Sequence, residues 1–336
     1  MAKNLIDPAI LYFFLGVLIG AVRSNLEIPP PVAKFLSLYL LVAIGFKGGQ
    51  ALGDAGLGGD GATVLAVAML FALAIPGWAF LVLKRKVNPF DAAAISATYG
   101  SVSAVTFIAA SNFVASRGEE VGGYMTVALV LMESPAIVMA VMLASWVRSR
   151  EAAQAVVPAA GGPGGSGDGG AAPMSIKAVL HEAFTDGAHL LLIGSLVIGF
   201  VSGEEGGAAM KVFTADIFKG FLAFFLLEMG LLVARQLREV RDVGPFLIGF
   251  AVGLPLFNAT LALLVGSALG FGVGDLTLLV VLVSSGSYIV VPAVIRFAIP
   301  EARPSRYFTM ALAVTFPFNI VLGIPLYYWA AERLAG

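Results

Sequence analysis

The residues best suited to hold an ion lie in two knots of glycine and hydroxyl side chains. They read "TYGSVSAVT" (Thr98–Thr106) and "VSSGSYIVVPA" (Val283–Ala293), and each interrupts an otherwise apolar stretch. Glycine weakens a helix, and a serine hydroxyl can cap the helix that restarts beyond it. Ser101 is expected to cap "VSAVTFIAASNF" and Ser287 to cap "YIVVPAVIRF", with Gly100 and Gly286 supplying the breaks. A restarted helix presents free backbone N–H groups and roughly half a positive charge. Two such ends meeting would hold a small anion without lysine or arginine. The competing reading is that small residues simply let helices pack closely.

Oxygens for a cation are scarcer. Glu133, in "LVLMESPAIV", precedes Pro135, whose ring frees a carbonyl upstream. Carboxylate plus carbonyl suits sodium; a glutamate bonded to a neighbouring helix, or one that carries a proton, is the alternative. Thr315 and Asn319 flank Pro317 and offer further oxygens, and Thr98 and Ser284 at the two knots complete the candidate sodium set.

These residues need a scaffold, and composition names it. Hydrophobic residues make up 59% of 336 and charged residues 12%, with mean hydropathy +0.94. Soluble domains carry about 25% charged residues, so the chain is expected to be an all-α polytopic membrane protein. A net charge of −1 offers nothing to nucleic acid, and the absence of cysteine removes disulfides and thiol chemistry. His181 and His189 are too few for a histidine metal site. The apolar N-terminus has one lysine and no small-residue cleavage pattern, so it is expected to stay as a first span.

A span needs about twenty apolar residues. Ten are expected, near 8–22, 32–52, 62–83, 91–114, 121–147, 186–202, 213–235, 245–269, 275–297 and 305–331. The odd-numbered connections hold fourteen of the twenty basic residues, which places them in the cytoplasm and both termini outside. "FLSLYLL" (Phe35–Leu41) matches "FLAFFLL" (Phe221–Leu227), and at that offset Gly100-Ser101 falls on Gly286-Ser287. "GVLIGAV" resembles "SLVIGFV", and Pro76 lands on Pro255. The expected organisation is a five-helix repeat (1–147), a flexible Gly/Ala/Pro-rich cytoplasmic linker (148–177) and a second, inverted five-helix repeat (178–336). Spans four and nine are then discontinuous crossing helices, the architecture of secondary transporters.

Through "GSVSAVT", "ESPAIV" and "SRYFTMALAVTFPFNIVLGIPL" the chain resembles the SbtA-type sodium-dependent bicarbonate symporters. That resemblance implies alternating access by a core and a gate domain, a homotrimer in a bacterial inner membrane, sodium as coupling ion and bicarbonate as substrate. It places Gly100, Ser101, Ser103 and Thr106 on the first crossing, and Ser284, Ser285 and Gly286 on the second. It also implies a possible PII-like SbtB partner on the cytoplasmic face. One departure stands out: the family's second-crossing aspartate aligns with Tyr288 here. Another small anion, such as a monocarboxylate, driven by sodium or protons, is the alternative cargo.

An enzyme is not expected. "GVGD" (Gly272–Asp275) matches the string of intramembrane aspartyl proteases, but that chemistry needs a second aspartate in a Tyr-Asp pair, and the chain has none. A serine hydrolase lacks a histidine deep within the spans, since His189 stands at the very start of the sixth.

Overall fold

The computed structural model describes residues 7–55, 59–155 and 187–335. Among them the chain is helical and has no strand. Helices α1 (Pro8–Ala21), α2 (Pro30–Ala55) and α3 (Gly59–Leu83) come first. They are followed by the half-helices α4 (Pro89–Gly100) and α5 (Ala104–Ser116), then α6 (Tyr124–Ala155). The second series is α7 (Gly187–Lys211), α8 (Phe218–Gln236), α9 (Pro245–Ala268), the half-helices α10 (Val273–Val283) and α11 (Val290–Ala298), and α12 (Pro304–Leu334). Among the described residues, seven helices are long and apolar enough to cross a membrane. The breaks fall at both knots.

Helix starts follow local rules. Asp7 and Asn88 each accept from the N–H two residues on, and each precedes a proline at the first helical position. Gly244, at φ 87°, turns the chain into Pro245. The last helix passes through two π turns, Met310–Thr315 and Asn319–Gly323, around Pro317 and before Pro325. A widened turn accommodates the hydrogen bond a proline cannot make.

Two expected boundaries move. Helix α6 continues to Ala155, because "RSREAAQA" is made of good helix formers. Arg148 in that extension pairs with Glu301 at 2.8 Å and caps the Ala298 carbonyl at the end of α11. The remainder of the expected linker lies outside the described residues. Helix α7 likewise runs past 202 to Lys211 through a kink at Gly203, whose carbonyl accepts from Gln50 at 2.9 Å.

Helix α1 packs along α8 and α2 along α7, and these four form one layer. Their backbones nearly touch: a Cβ on Gly16 would stand 2.1 Å from the Leu227 carbonyl, and one on Gly199 2.0 Å from that of Phe46. The other layer holds α3, α6, α9 and α12 around the half-helices. Helix α4 is buried on every side from Phe90 to Gly100, which its run of alanines permits. Two carboxylates clasp this layer in the same way. Asp91, in the first turn of α4, accepts from the Arg303 N–H (2.7 Å) and from Arg306 (2.9 Å) at the start of α12. Asp275, in the first turn of α10, accepts from the Gly122 N–H (2.8 Å) and the Tyr124 hydroxyl at the start of α6.

Candidate ion and substrate site

The two knots meet. The Ser287 N–H donates to the Thr98 carbonyl at 2.9 Å, and the Ser103 N–H donates to the Ser285 hydroxyl at 3.0 Å. Each break therefore satisfies a backbone group of the other. Ser285 passes its own proton to the Leu282 carbonyl at 2.9 Å.

The first helix restart differs from expectation. Ser103, not Ser101, caps α5: its backbone is extended, and its Oγ accepts from the Thr106 N–H (3.1 Å) and hydroxyl (2.9 Å). The geometry decides this, since a capping side chain takes an N–H two or three residues on and Ser103 stands directly before the first residue of α5. Ser101 instead follows the last residue of α4, and its N–H closes that helix on the Ala97 carbonyl. At the second restart the N-cap position is Ile289, whose side chain makes no capping bond, and Ser287, two residues earlier, accepts from the Val291 N–H at 3.3 Å.

The two glycines stand in different surroundings. A Cβ at Gly100 would stand 2.2 Å from the Pro76 ring, so this position must stay small for α4 to meet α3. At Gly286 the nearest atoms are 3.5 Å away, on the Tyr99 ring.

A cavity of about 60 Å³ lies where the two layers face each other. It is bordered by Val102–Val105 at the start of α5, Ser287–Ile289 at the start of α11, Glu133 on α6 and Ser37 on α2. At 10–15 Å³ per water-sized position it holds about four such atoms. Both helix starts thus border one small space, although in their first turns the Thr106 and Val291 N–H groups are taken by Ser103 and Ser287 and Pro292 has none. Much of the remaining wall is apolar, with Leu40, Leu129 and Phe225 among its residues.

The expected sodium set divides. Glu133 borders the cavity and is half-buried. Thr98, Ser284, Thr315 and Asn319 do not line it; they sit behind the crossing and are all buried. There the Asn319 amide donates to the Ser284 carbonyl (2.8 Å) and accepts from Tyr327 (3.0 Å). Thr315 donates to the Ala251 carbonyl (2.7 Å) and accepts from Tyr99 (2.6 Å). The Thr98 hydroxyl turns back to the Ala94 carbonyl at 2.9 Å. Two hydroxyls in this region, of Ser101 and Ser284, are buried and make no hydrogen bond of normal geometry among the described residues, the Tyr327 hydroxyl being a close polar neighbour of Ser284. Ser101 is the C-cap of α4 and Ser284 the C-cap of α10. Helix C-termini carry partial negative charge. An orphaned oxygen at each of these ends is suited to a cation.

Sequence reasoning missed Ser37, a lone serine on a helix from the other layer, for which no local signal exists. It also read Tyr288 only as a substitution; the ring packs edge-on against Phe316 at 5.4 Å and walls the cavity. Asn258 is the interhelical bonder its type suggests, donating to the Val283 carbonyl at 2.9 Å. Its acceptor oxygen takes the Trp78 indole N–H at 3.2 Å, so that tryptophan serves the interior as well as a span end.

The family model described as the Na+-dependent bicarbonate transporter superfamily matches residues 8–332. No curated protein matches the chain.

Proposed function

We propose, for a chain that belongs to the Na+-dependent bicarbonate transporter superfamily, that it carries bicarbonate together with sodium by alternating access. One observation carries the reading: two helix N-termini border the same cavity of about 60 Å³. Backbone N–H groups at such ends favour an anion and need no basic side chain. Sodium is assigned to the opposite faces of the same breaks, where the Ser101 and Ser284 hydroxyls stand unpaired at the C-terminal ends of α4 and α10. Half-helix C-termini hold coupling ions in transporters of this kind. Glu133 is kept as a cavity-facing carboxylate that senses either ion.

The ten-span inverted repeat belongs to the same proposal. It is supported by the exchanged pairs α1–α8 and α2–α7 and by the matching clasps of Asp91 and Asp275. The four-helix layer would be the gate and the other layer the core. Orientation with both termini outside, in a bacterial inner membrane, rests on the basic connections. A homotrimer and a PII-like cytoplasmic partner rest on the resemblance alone.

A second reading keeps the mechanism and changes the cargo. The largely apolar wall suits a small monocarboxylate as well as bicarbonate. Uptake of labelled bicarbonate into proteoliposomes, with sodium or potassium outside, decides between them. Sodium-dependent uptake that excess formate or acetate does not inhibit supports bicarbonate. Sodium-driven uptake of labelled acetate, with none of bicarbonate, would replace it.

A further inference from the structure

We propose that Lys47 and Lys219 form a staging site for small anions at the mouth that leads to the central cavity, a site that rests on the anion-transport reading. A second, larger cavity of about 390 Å³ opens between α2, α5, the segment 121–126 and the start of α8. Lys47 and Lys219 line it together with Ser111, Asn112, Ser116 and Thr126, and among the described lining residues there is no carboxylate. Lys47 does not reach for a lipid headgroup, as its place near a span end suggests. Its ammonium lies over the Phe218 ring at 5.4 Å and faces the cavity. Lys219 is close enough for like-charge repulsion at Lys47. Two ammonium groups facing one open space favour an anion between them.

Position gives this pair a role. Ile108 borders both the 390 Å³ cavity and the central one, so this side chain of α5 stands between the lysines' cavity and the helix starts. On the far side, Tyr288 and Ile289 divide the central cavity from an opening of about 490 Å³. That opening has mixed charge, with both Arg296 and Glu239 among its lining residues. The described residues lining the lysine side carry positive charge alone. By the placement of basic connections it is the external mouth, so an anion concentrates there before Ile108 moves aside. The ligand class is a small monovalent anion with exposed oxygens, bicarbonate or a carboxylate.

The test uses the intact wild-type protein first. A water-soluble amine-acetylating reagent is applied to protein in lipid-depleted detergent, with increasing formate or bicarbonate, and modification is read by peptide mass spectrometry. Lys47 and Lys219 should be protected with one shared midpoint, while Lys84 on the opposite face reacts unchanged. Equal labelling at all anion concentrations would overturn the site. In proteoliposomes the Lys47→Gln/Lys219→Gln variant should raise the KM for bicarbonate on the order of tenfold at low salt. The loss should fall on KM rather than kcat, and should shrink as ionic strength rises. Arginine at both positions should restore the wild-type KM. An unchanged KM in the double glutamine variant would also overturn it. If the wild type takes up no bicarbonate at all, the transport reading fails, while anion protection of the lysines still decides this one.

Discussion

Removing either orphaned hydroxyl should have opposite effects on stability and on sodium dependence. Ser284 and Ser101 are 0% and 1% exposed, and neither hydroxyl makes a hydrogen bond of normal geometry among the described residues. A buried polar group left unpaired costs roughly 1–3 kcal/mol. Ser284→Ala and Ser101→Ala delete that cost and leave almost no cavity, so each should stabilise the sodium-free protein by up to that amount. If the same oxygens bind sodium, each change also removes one ligand, worth about 0.5–1.5 kcal/mol. At 1.4 kcal/mol per decade this raises the sodium half-saturation of uptake by roughly two- to twelvefold. Thermal unfolding of purified protein in choline chloride and in sodium chloride reads the first effect. Uptake against external sodium reads the second. The Tm of both variants should rise in choline, and sodium should raise it less than in the wild type. A Tm that falls in choline, with an unchanged sodium curve, would mean these hydroxyls hold the fold and touch no ion.

The paired glycines should behave unequally. Gly100→Ala drives a methyl group into the Pro76 ring at 2.2 Å and should cost about 1–3 kcal/mol as overpacking. Gly286→Ala meets nothing closer than 3.5 Å and should be neutral or slightly stabilising by the same thermal assay. Asp91→Ala strands the Arg303 N–H and the Arg306 guanidinium in a largely buried place. It should cost about 3 kcal/mol or more, and Asp91→Asn, which keeps one acceptor, clearly less. The Arg148 guanidinium, through its hydrogen bond, holds the Glu301 carboxyl below the usual carboxylate range. A depressed carboxylate adds stability above its unfolded pKa and loses it as pH falls through the folded value. The difference in Tm between wild type and Glu301→Gln should therefore be present at neutral pH and close under acid conditions. Because the pair is partly exposed, it should be modest throughout.

Much of the architecture was legible because it depends on near neighbours. Hydropathy located each helix to within several residues, since a span is a property of about twenty consecutive side chains. The Gly/Ser knots marked both breaks for the same reason: helix propensity and capping act over three or four residues. The rule is equally local in its failure. "GSVS" contains two serines that could cap α5, and the backbone conformation at Ser103 chose between them. The extension of α6 to Ala155 was missed because good helix formers also occur in linkers, and Arg148 gains its anchor only from Glu301, 153 positions away.

By itself, then, the sequence determined the class of protein, the positions of the two interruptions and the oxygen-rich chemistry gathered there. Those are consequences of composition and of residues a few positions apart. The tertiary structure alone decided which atoms meet at the crossing. Ser103 meets Ser285 across 182 positions, and Ser287 meets Thr98. Gly100 packs against Pro76, on a different helix. Ser37 enters the cavity wall from the opposite layer. Such contacts form only when the two helical layers are packed. A hydroxyl's ability to cap a helix, stand unpaired or border a cavity is then set by atoms far away in the chain, which no local pattern records.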